Sequence, residues 1–275
     1  MSTTERVHPK GRRLGPKSSA RRVIALLHSE DLKAVKAVGR VRAQIAIAAE
    51  RITVALRGGG RLIYAGAGTS GRLGALDAAE CPPTFGTAPW QVVALIAGGA
   101  KALTRAVEGA EDDVPDAVRT IRGVKATAGD VVCGITASGR TPWVLAVLAE
   151  ARALGAQTVL VSCNPGAAKK VKADVKILPD TGAEVLAGST RLKAGTATKL
   201  VLNALSTAAM VRLGHVDQGR MSKLRPTNAK LQDRAVGIVA DLLGIDRAEA
   251  ARRLEAAGDV PGALQVGTKS HFRVD

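Results

Sequence analysis

Short apolar runs alternate with longer segments of helical periodicity through the middle of the chain. Leu62–Ala65, Val92–Ile96, Val131–Ile135, Thr158–Val161 and Val175–Leu178 each read as a strand buried on both faces. Helical patterns lie between them, so the alternation predicts an α/β fold, a doubly wound parallel sheet of five strands covered by helices on both faces. Ahead of the sheet, Ala20–His28 reads as a first helix, and Ser29 before Glu30 and Asp31 as the N-cap of a second. That second helix carries Val35, Val38, Val41, Ile45, Ala48 and Ile52 at helical spacing until Gly58-Gly59-Gly60 stops it. Its apolar stripe suits the core, or else a subunit interface. After the sheet, Gly188–Leu213 is helical with few breaks, and three short apolar segments (238–243, 248–254, 261–264) predict a small helical bundle. The expected divisions are a basic flexible arm (1–18), N-terminal helices (19–57), the sheet domain (58–226) and a helical C-terminal region (227–275).

One stretch holds most of the candidate chemistry. Arg61 to Gly86 reads RLIYAGAGTSGRLGALDAAECPPTFG: a strand, then Gly66, Gly68 and Gly71 around Thr69 and Ser70, then a helical pattern through Leu73, Leu76 and Ala79. Pro82 and Pro83 are expected to end that helix. Such a turn aims backbone N–H groups and the positive end of a helix at one spot, which suits an anion. The spacing matches G-x-G-x-x-G, but the dinucleotide reading needs an acidic residue at the end of the second strand. Val92–Ile96 runs instead into Ala97-Gly98-Gly99-Ala100. Hydroxyls at Thr69 and Ser70 fit a compact phosphate monoester better than a pyrophosphate.

The turn from Thr136 to Pro142 repeats the arrangement, with Thr136, Ser138, Gly139 and Thr141 ahead of a proline at an early helix position. Its hydroxyls either cap a helix or hold a phosphate. Two such loops beyond the carboxyl ends of parallel strands favour the phosphate site. Ser189, Thr190 and Lys193 form a third group that completes the site or caps the long helix.

Two carboxylates stand out. Glu80 is expected near the C-terminal end of its helix among apolar neighbours, where both dipole and desolvation disfavour the charged form. That is what a general acid at neutral pH requires, although a solvated helix-end glutamate reads the same way. Glu111 sits among Glu108, Asp112 and Asp113, whose mutual repulsion acts in the same direction, or which simply form an acidic start to the helix opened by Pro115. Pattern alone leaves both choices open.

Composition narrows the classes. Aromatics are only 2% of the 275 residues, so the core must be built from Ala, Val, Leu and Ile. Cys81, Cys133 and Cys163 are scattered without a C-x-x-C pair, which speaks against a disulfide framework or a zinc site. No apolar run is long enough to span a bilayer, and the basic start lacks an export h-region, so a cytoplasmic protein is expected. The net charge of +16 is concentrated: residues 1–29 hold seven Lys/Arg against Glu5, and residues 191–230 hold eight against Asp217. No aromatic stacking platform or nucleic-acid motif accompanies that charge, so nucleic acid is not the expected partner.

The stretch GAGTSGRLGALDAAECPPTFG, followed in order by LIAGG, AVEGAEDD, ASGRTP, SCNPG, GSTRLKAGTATKLVLNALST and PTNAKL, resembles the N-acetylmuramic acid 6-phosphate etherases. That family belongs to the sugar-isomerase (SIS) domain superfamily, and the resemblance covers Glu30 to Leu231. It implies a flavodoxin-like SIS sheet, a small UBA-like helical C-terminal region, a homodimer, and no cofactor or metal. It implies Glu80 and Glu111 as the acid/base residues. It also places Gly68, Thr69, Ser70, Thr136, Ser138, Gly139, Thr141, Ser189, Thr190 and Lys193 around the sugar phosphate. The implied reaction cleaves the D-lactyl ether of N-acetylmuramic acid 6-phosphate; the alternative is a non-catalytic sugar-phosphate regulator resembling the glucokinase regulatory proteins. Two departures from the family pattern are the basic opening segment and Gly219-Arg220-Met221-Ser222-Lys223, where Lys223 would favour a more anionic ligand. The chain also stops early, in the basic HFRVD.

Overall fold

The computed structural model describes residues 6–224, 226 and 228–265. All five expected strands form, as β1 (Leu62–Gly66), β2 (Val92–Ile96), β3 (Val131–Ile135), β4 (Gln157–Val161) and β5 (Val175–Ile177). They make one parallel sheet in the order β2-β1-β3-β4-β5, with Leu62 level with both Val92 and Val131. The winding reverses between β1 and β3, and in such sheets the crevice beyond the carboxyl ends at the reversal is where ligands settle.

Alternate residues of the strands serve different helices. Ile63, Ala65, Val132 and Leu160 pack with Ala117 and Ile121 of α5 (Val114–Gly123) and with Trp143, Val144 and Leu148 of α6 (Pro142–Ala153). Tyr64 points to the other face, where its hydroxyl donates to Asp77 of α3 (Gly68–Phe85) at 2.8 Å. Asp77 also accepts from Asn203 (2.7 Å) and Ser206 (3.1 Å) of α8 (Lys193–Arg212), so one buried carboxylate fixes α3 against both strand and helix. Trp143 is fully buried and donates Nε1 to Asp116 at 2.9 Å.

Two helix boundaries differ from expectation. The first helix, α1, runs unbroken over Ala20–Gly39, because the Ser29 hydroxyl donates back to Leu26 O (2.8 Å) instead of capping a new helix; Ser19 is the cap. The break falls before α2 (Arg42–Arg57). Likewise α3 continues through Pro82 and Pro83 to Phe85. The prolines have the φ a helix needs but lack N–H donors and crowd the preceding turn; the helix still runs one turn further and is closed by Gly86 N–H donating to Pro82 O at 2.9 Å.

The chain groups into two units, one running up to Ala78 and including Trp90–Ala209, the other comprising Ala79–Pro89 and the chain from Met210 on. The ECPPT stretch thus groups with the chain from Met210 on. There His215 Nδ1 lies 2.5 Å from Phe85 O, and a Cβ on Gly86 would collide with Lys223 O. The rest of that unit is a small bundle of α9 (Ala229–Leu243), α10 (Arg247–Ala257) and α11 (Val260–Gln265) around Leu231, Val239, Leu254 and Val260. The HFRVD end lies outside the described residues.

The start of α3 depends on two glycines. A Cβ on Gly66 would lie 2.6 Å from the Gly71 nitrogen, and one on Gly71 would lie 2.7 Å from Gly66 O and 2.6 Å from Ile96 Cγ1. Replacing Gly71 by alanine is expected to cost about 1–3 kcal/mol through overpacking. A urea titration of wild type and Gly71→Ala checks this.

Candidate active site

A cavity of about 240 Å³ opens at the β1/β3 reversal, lined by Ala67, Gly68, Thr69, Ser70, Glu111, Ala137, Ser138, Thr141, Gly188 and Thr190. Three chain segments supply it. The β1–α3 turn brings Thr69 and Ser70 with the N-terminal turn of α3. The β3–α6 turn brings Ser138 and Thr141 with the start of α6. The segment before α8 brings Gly188 and Thr190. Two helix N-termini and their side-chain hydroxyls therefore face one space, which is chemistry for an anion without a fixed counter-cation.

Thr136 acts beneath this surface. It is 2% exposed, and its hydroxyl lies 2.9 Å from Thr141 Oγ1 and 3.3 Å from Ser138 Oγ while accepting from Gly139 N at 3.2 Å. Asn164 adds a donor to Ser138 O at 2.9 Å. Thr136 thus sets the directions of the two hydroxyls that line the cavity. Gly139 faces a different cavity, and Ser189 is absent from the lining of the hydroxyl-lined one.

Lys193 is placed elsewhere. It is 3% exposed, and its Nζ lies 2.6 Å from Glu30 Oε2. Glu30 also pairs with Lys33 (2.6 Å) and faces His8 Nε2 (3.3 Å), so the basic arm is held at His8. Burial pushes the Glu30 carboxyl up, but the two lysine ammoniums outweigh it and bring the pKa down to about 2. Glu184, fully buried and not singled out by the sequence pattern, accepts from the backbone N–H groups of Lys193 (3.3 Å) and Ala194 (2.9 Å). Burial raises its pKa above the ordinary value. Glu184 and the Glu30–Lys193 pair together anchor the first turn of α8, just after Thr190.

The two expected acid/base residues are distributed differently. Glu111 lies in the cavity wall, on a short 3-10 turn (Ala110–Asp112). Two nearby acids have structural partners: Asp113 accepts from Asp116 N (2.8 Å) as the cap of α5, and Asp116 accepts from Trp143. Glu111 makes no hydrogen bond or ion pair among the described residues. Glu80 is exposed on α3, in the part of that helix that belongs to the second unit. Lys223 is also exposed, while Arg220 is tied to Asp241 of α9 at 2.7 Å.

A larger cavity, of about 780 Å³, lies along α6 between Arg140, Arg152, Lys170 and Lys172. Its lining carries neither a carboxylate nor a hydroxyl side chain. Burial pushes the Cys133 thiol up and the Cys163 thiol up to about 12, which makes both poor nucleophiles. Among the described residues no group of three His, Cys, Asp or Glu is arranged to hold a metal, and no helix is long and apolar enough to cross a membrane.

Known proteins are similar to this chain in sequence and in fold. The chain is 50% identical over 247 residues to the N-acetylmuramic acid 6-phosphate etherase of Geobacillus thermodenitrificans, covering 90% of this chain and 84% of that protein. It is 51% identical over 238 residues to the Yersinia pestis etherase, covering 86% and 81%. The chain belongs to the N-acetylmuramic acid 6-phosphate etherase family. Residues 44–152 also match the glucokinase regulatory protein N-terminal SIS domain. The fold is that of an E. coli CFT073 protein solved in complex with a ligand (TM-score 0.52, 18% identity, 74% of this chain and 97% of that one). A phosphoheptose isomerase from Francisella tularensis shares it too (TM-score 0.52, 15% identity, 70% and 99%).

The Glu30 pair predicts an acid response. Because the folded carboxyl titrates below its ordinary value of 4.5, its contribution is complete above that value and disappears as pH falls from there through about 2. Breaking a buried pair costs about 3–5 kcal/mol. Lys193→Met is therefore expected to be less stable at pH 7 by that order and to lose less on acidification, as read from urea titrations at pH 7, 4 and 3.

Proposed function

We propose that this chain is an N-acetylmuramic acid 6-phosphate etherase, a carbon–oxygen lyase that yields N-acetylglucosamine 6-phosphate and D-lactate. The observation that carries the reading is the position of Glu111, an unpaired carboxylate in the wall of a hydroxyl-lined anion pocket. A sensor needs only the hydroxyls.

The phosphate sits among Thr69, Ser70, Ser138, Thr141 and Thr190, held by hydroxyls and the two helix N-termini. In the open-chain sugar the C1 aldehyde acidifies the C2 proton. A carboxylate removes that proton, the electron pair forms the C2–C3 double bond, and the C3–O bond breaks as the lactate oxygen is protonated. Water then adds at C3, its proton is released, and C2 is reprotonated, which restores the saturated sugar. Glu111 is one of the two proton-transfer groups. Glu80 is the other, a role supported by its place in the ECPPT stretch that resembles the family.

The working form we infer is a cytoplasmic homodimer. Supporting it are large apolar side chains that stay more than half exposed on α1 and α2: Ile24, Leu32 and Val35 on the first, Ile47 and Val54 on the second. Changing Leu32 and Val35 together to aspartate is expected to leave a monomer in sedimentation analysis; an unchanged mass would move the interface elsewhere.

The activity is tested by enzymatic detection of D-lactate. Wild type should release it from N-acetylmuramic acid 6-phosphate. Glu111→Gln should be slower by about 10²–10⁴-fold, the usual share of one proton-transfer group, and still bind N-acetylglucosamine 6-phosphate. Binding without lactate release by wild type would favour the regulator instead.

A further inference from the structure

A second cavity lies on the far side of Glu111, and the phosphate turns do not account for it. It encloses about 150 Å³ and shares Ala67, Gly68 and Glu111 with the phosphate pocket. Glu111 therefore stands where the two spaces meet. The remaining wall is mostly small and apolar (Ala97, Ala102, Ala106, Val107), and its charged members are Arg72, Glu108 and Glu111.

Arg72 is held in an unusual way. Its Nε donates to Leu103 O at 3.1 Å and its Nη2 to Arg105 O at 2.9 Å. Two main-chain carbonyls fix the plane of the guanidinium without neutralising it, and Arg72 forms no ion pair among the described residues. Its Nη1 donors remain to be used, in a fork suited to a carboxylate.

We infer that this chamber receives the lactyl arm of the substrate and that Arg72 sets specificity by binding its carboxylate. The inference rests on the etherase reading above. Beyond the ether oxygen the arm has a methine, a methyl and a carboxylate, five heavy atoms in all. A volume of 150 Å³ holds about five water-sized groups at ~30 Å³ each. The methyl faces the alanine walls, and the carboxylate faces the guanidinium. The ether oxygen then falls at the junction of the two cavities, beside Glu111. Without Arg72 the arm would enter a space whose only charges are Glu108 and Glu111, and like charge would reject it. The amino-sugar product lacks the arm, so Arg72 contributes nothing to its binding.

The test compares two sugars. Affinities for N-acetylmuramic acid 6-phosphate and N-acetylglucosamine 6-phosphate are measured by calorimetry on a Glu111→Gln background, which holds back turnover. Adding Arg72→Met should weaken the first by about tenfold or more and leave the second within about twofold. Adding Arg72→Lys, which keeps the charge but loses the fork, should recover part of the loss. If both sugars weaken together, Arg72 merely supports the fold; if neither does, the arm lies elsewhere; either result overturns the inference. Lactate release by wild type reports on the reaction separately. Release together with an unchanged ratio of affinities removes the subsite alone. An Arg72-dependent ratio without release keeps the subsite and removes the etherase reading.

Discussion

The contact between Gly66 and Gly71 is the constraint from which the site follows. With no Cβ on either residue, the end of β1 and the first turn of α3 approach to backbone contact, and α3 departs directly from the sheet rim. Thr69 and Ser70 are thereby brought to the mouth of the β1/β3 crevice. A looser turn would leave the same hydroxyls in solvent, where a phosphate gains little from them. Opposite, the buried Thr136 hydroxyl fixes Ser138 and Thr141, and the Glu184 and Glu30–Lys193 anchors fix the approach to α8. Three independent devices thus hold three short segments around one space.

That arrangement separates holding from reacting. The lining of the hydroxyl pocket contains no lysine or arginine, so among the described residues no cation there neutralises Glu111. Asp113 caps α5 and Asp116 anchors Trp143, whereas Glu111 forms no hydrogen bond or ion pair among the described residues. Charge is kept apart in space: the arginine that faces the second cavity is paired with carbonyls, and the buried lysine is committed to Glu30.

The sheet was legible because its strands are short, apolar and regularly spaced, and the hydroxyl turns because glycine and proline punctuate them. What escaped the sequence was partly local competition and partly contact between distant positions. Ser29 reads as a cap, yet its hydroxyl bonds back to Leu26 inside one long helix. Pro82 and Pro83 read as a stop, but the last helical turn accommodates them. Lys193 reads as a phosphate ligand because its partner, Glu30, lies 163 positions away and leaves no trace in the local pattern. Arg72 is equally silent in the local pattern, since the carbonyls that hold it lie 31 and 33 positions away. In sequence Glu80 stands out as the acid and Glu111 only as one of an acidic cluster, whereas it is Glu111 that lines the hydroxyl pocket.

Diffraction from crystals holding bound N-acetylglucosamine 6-phosphate tests the central claim most directly. The account predicts phosphate density within hydrogen-bond reach of Thr69, Ser70, Ser138 and Thr141, with the sugar extending toward Glu111. Phosphate found among Arg140, Lys170 and Lys172, with the hydroxyl-lined pocket empty, would contradict it.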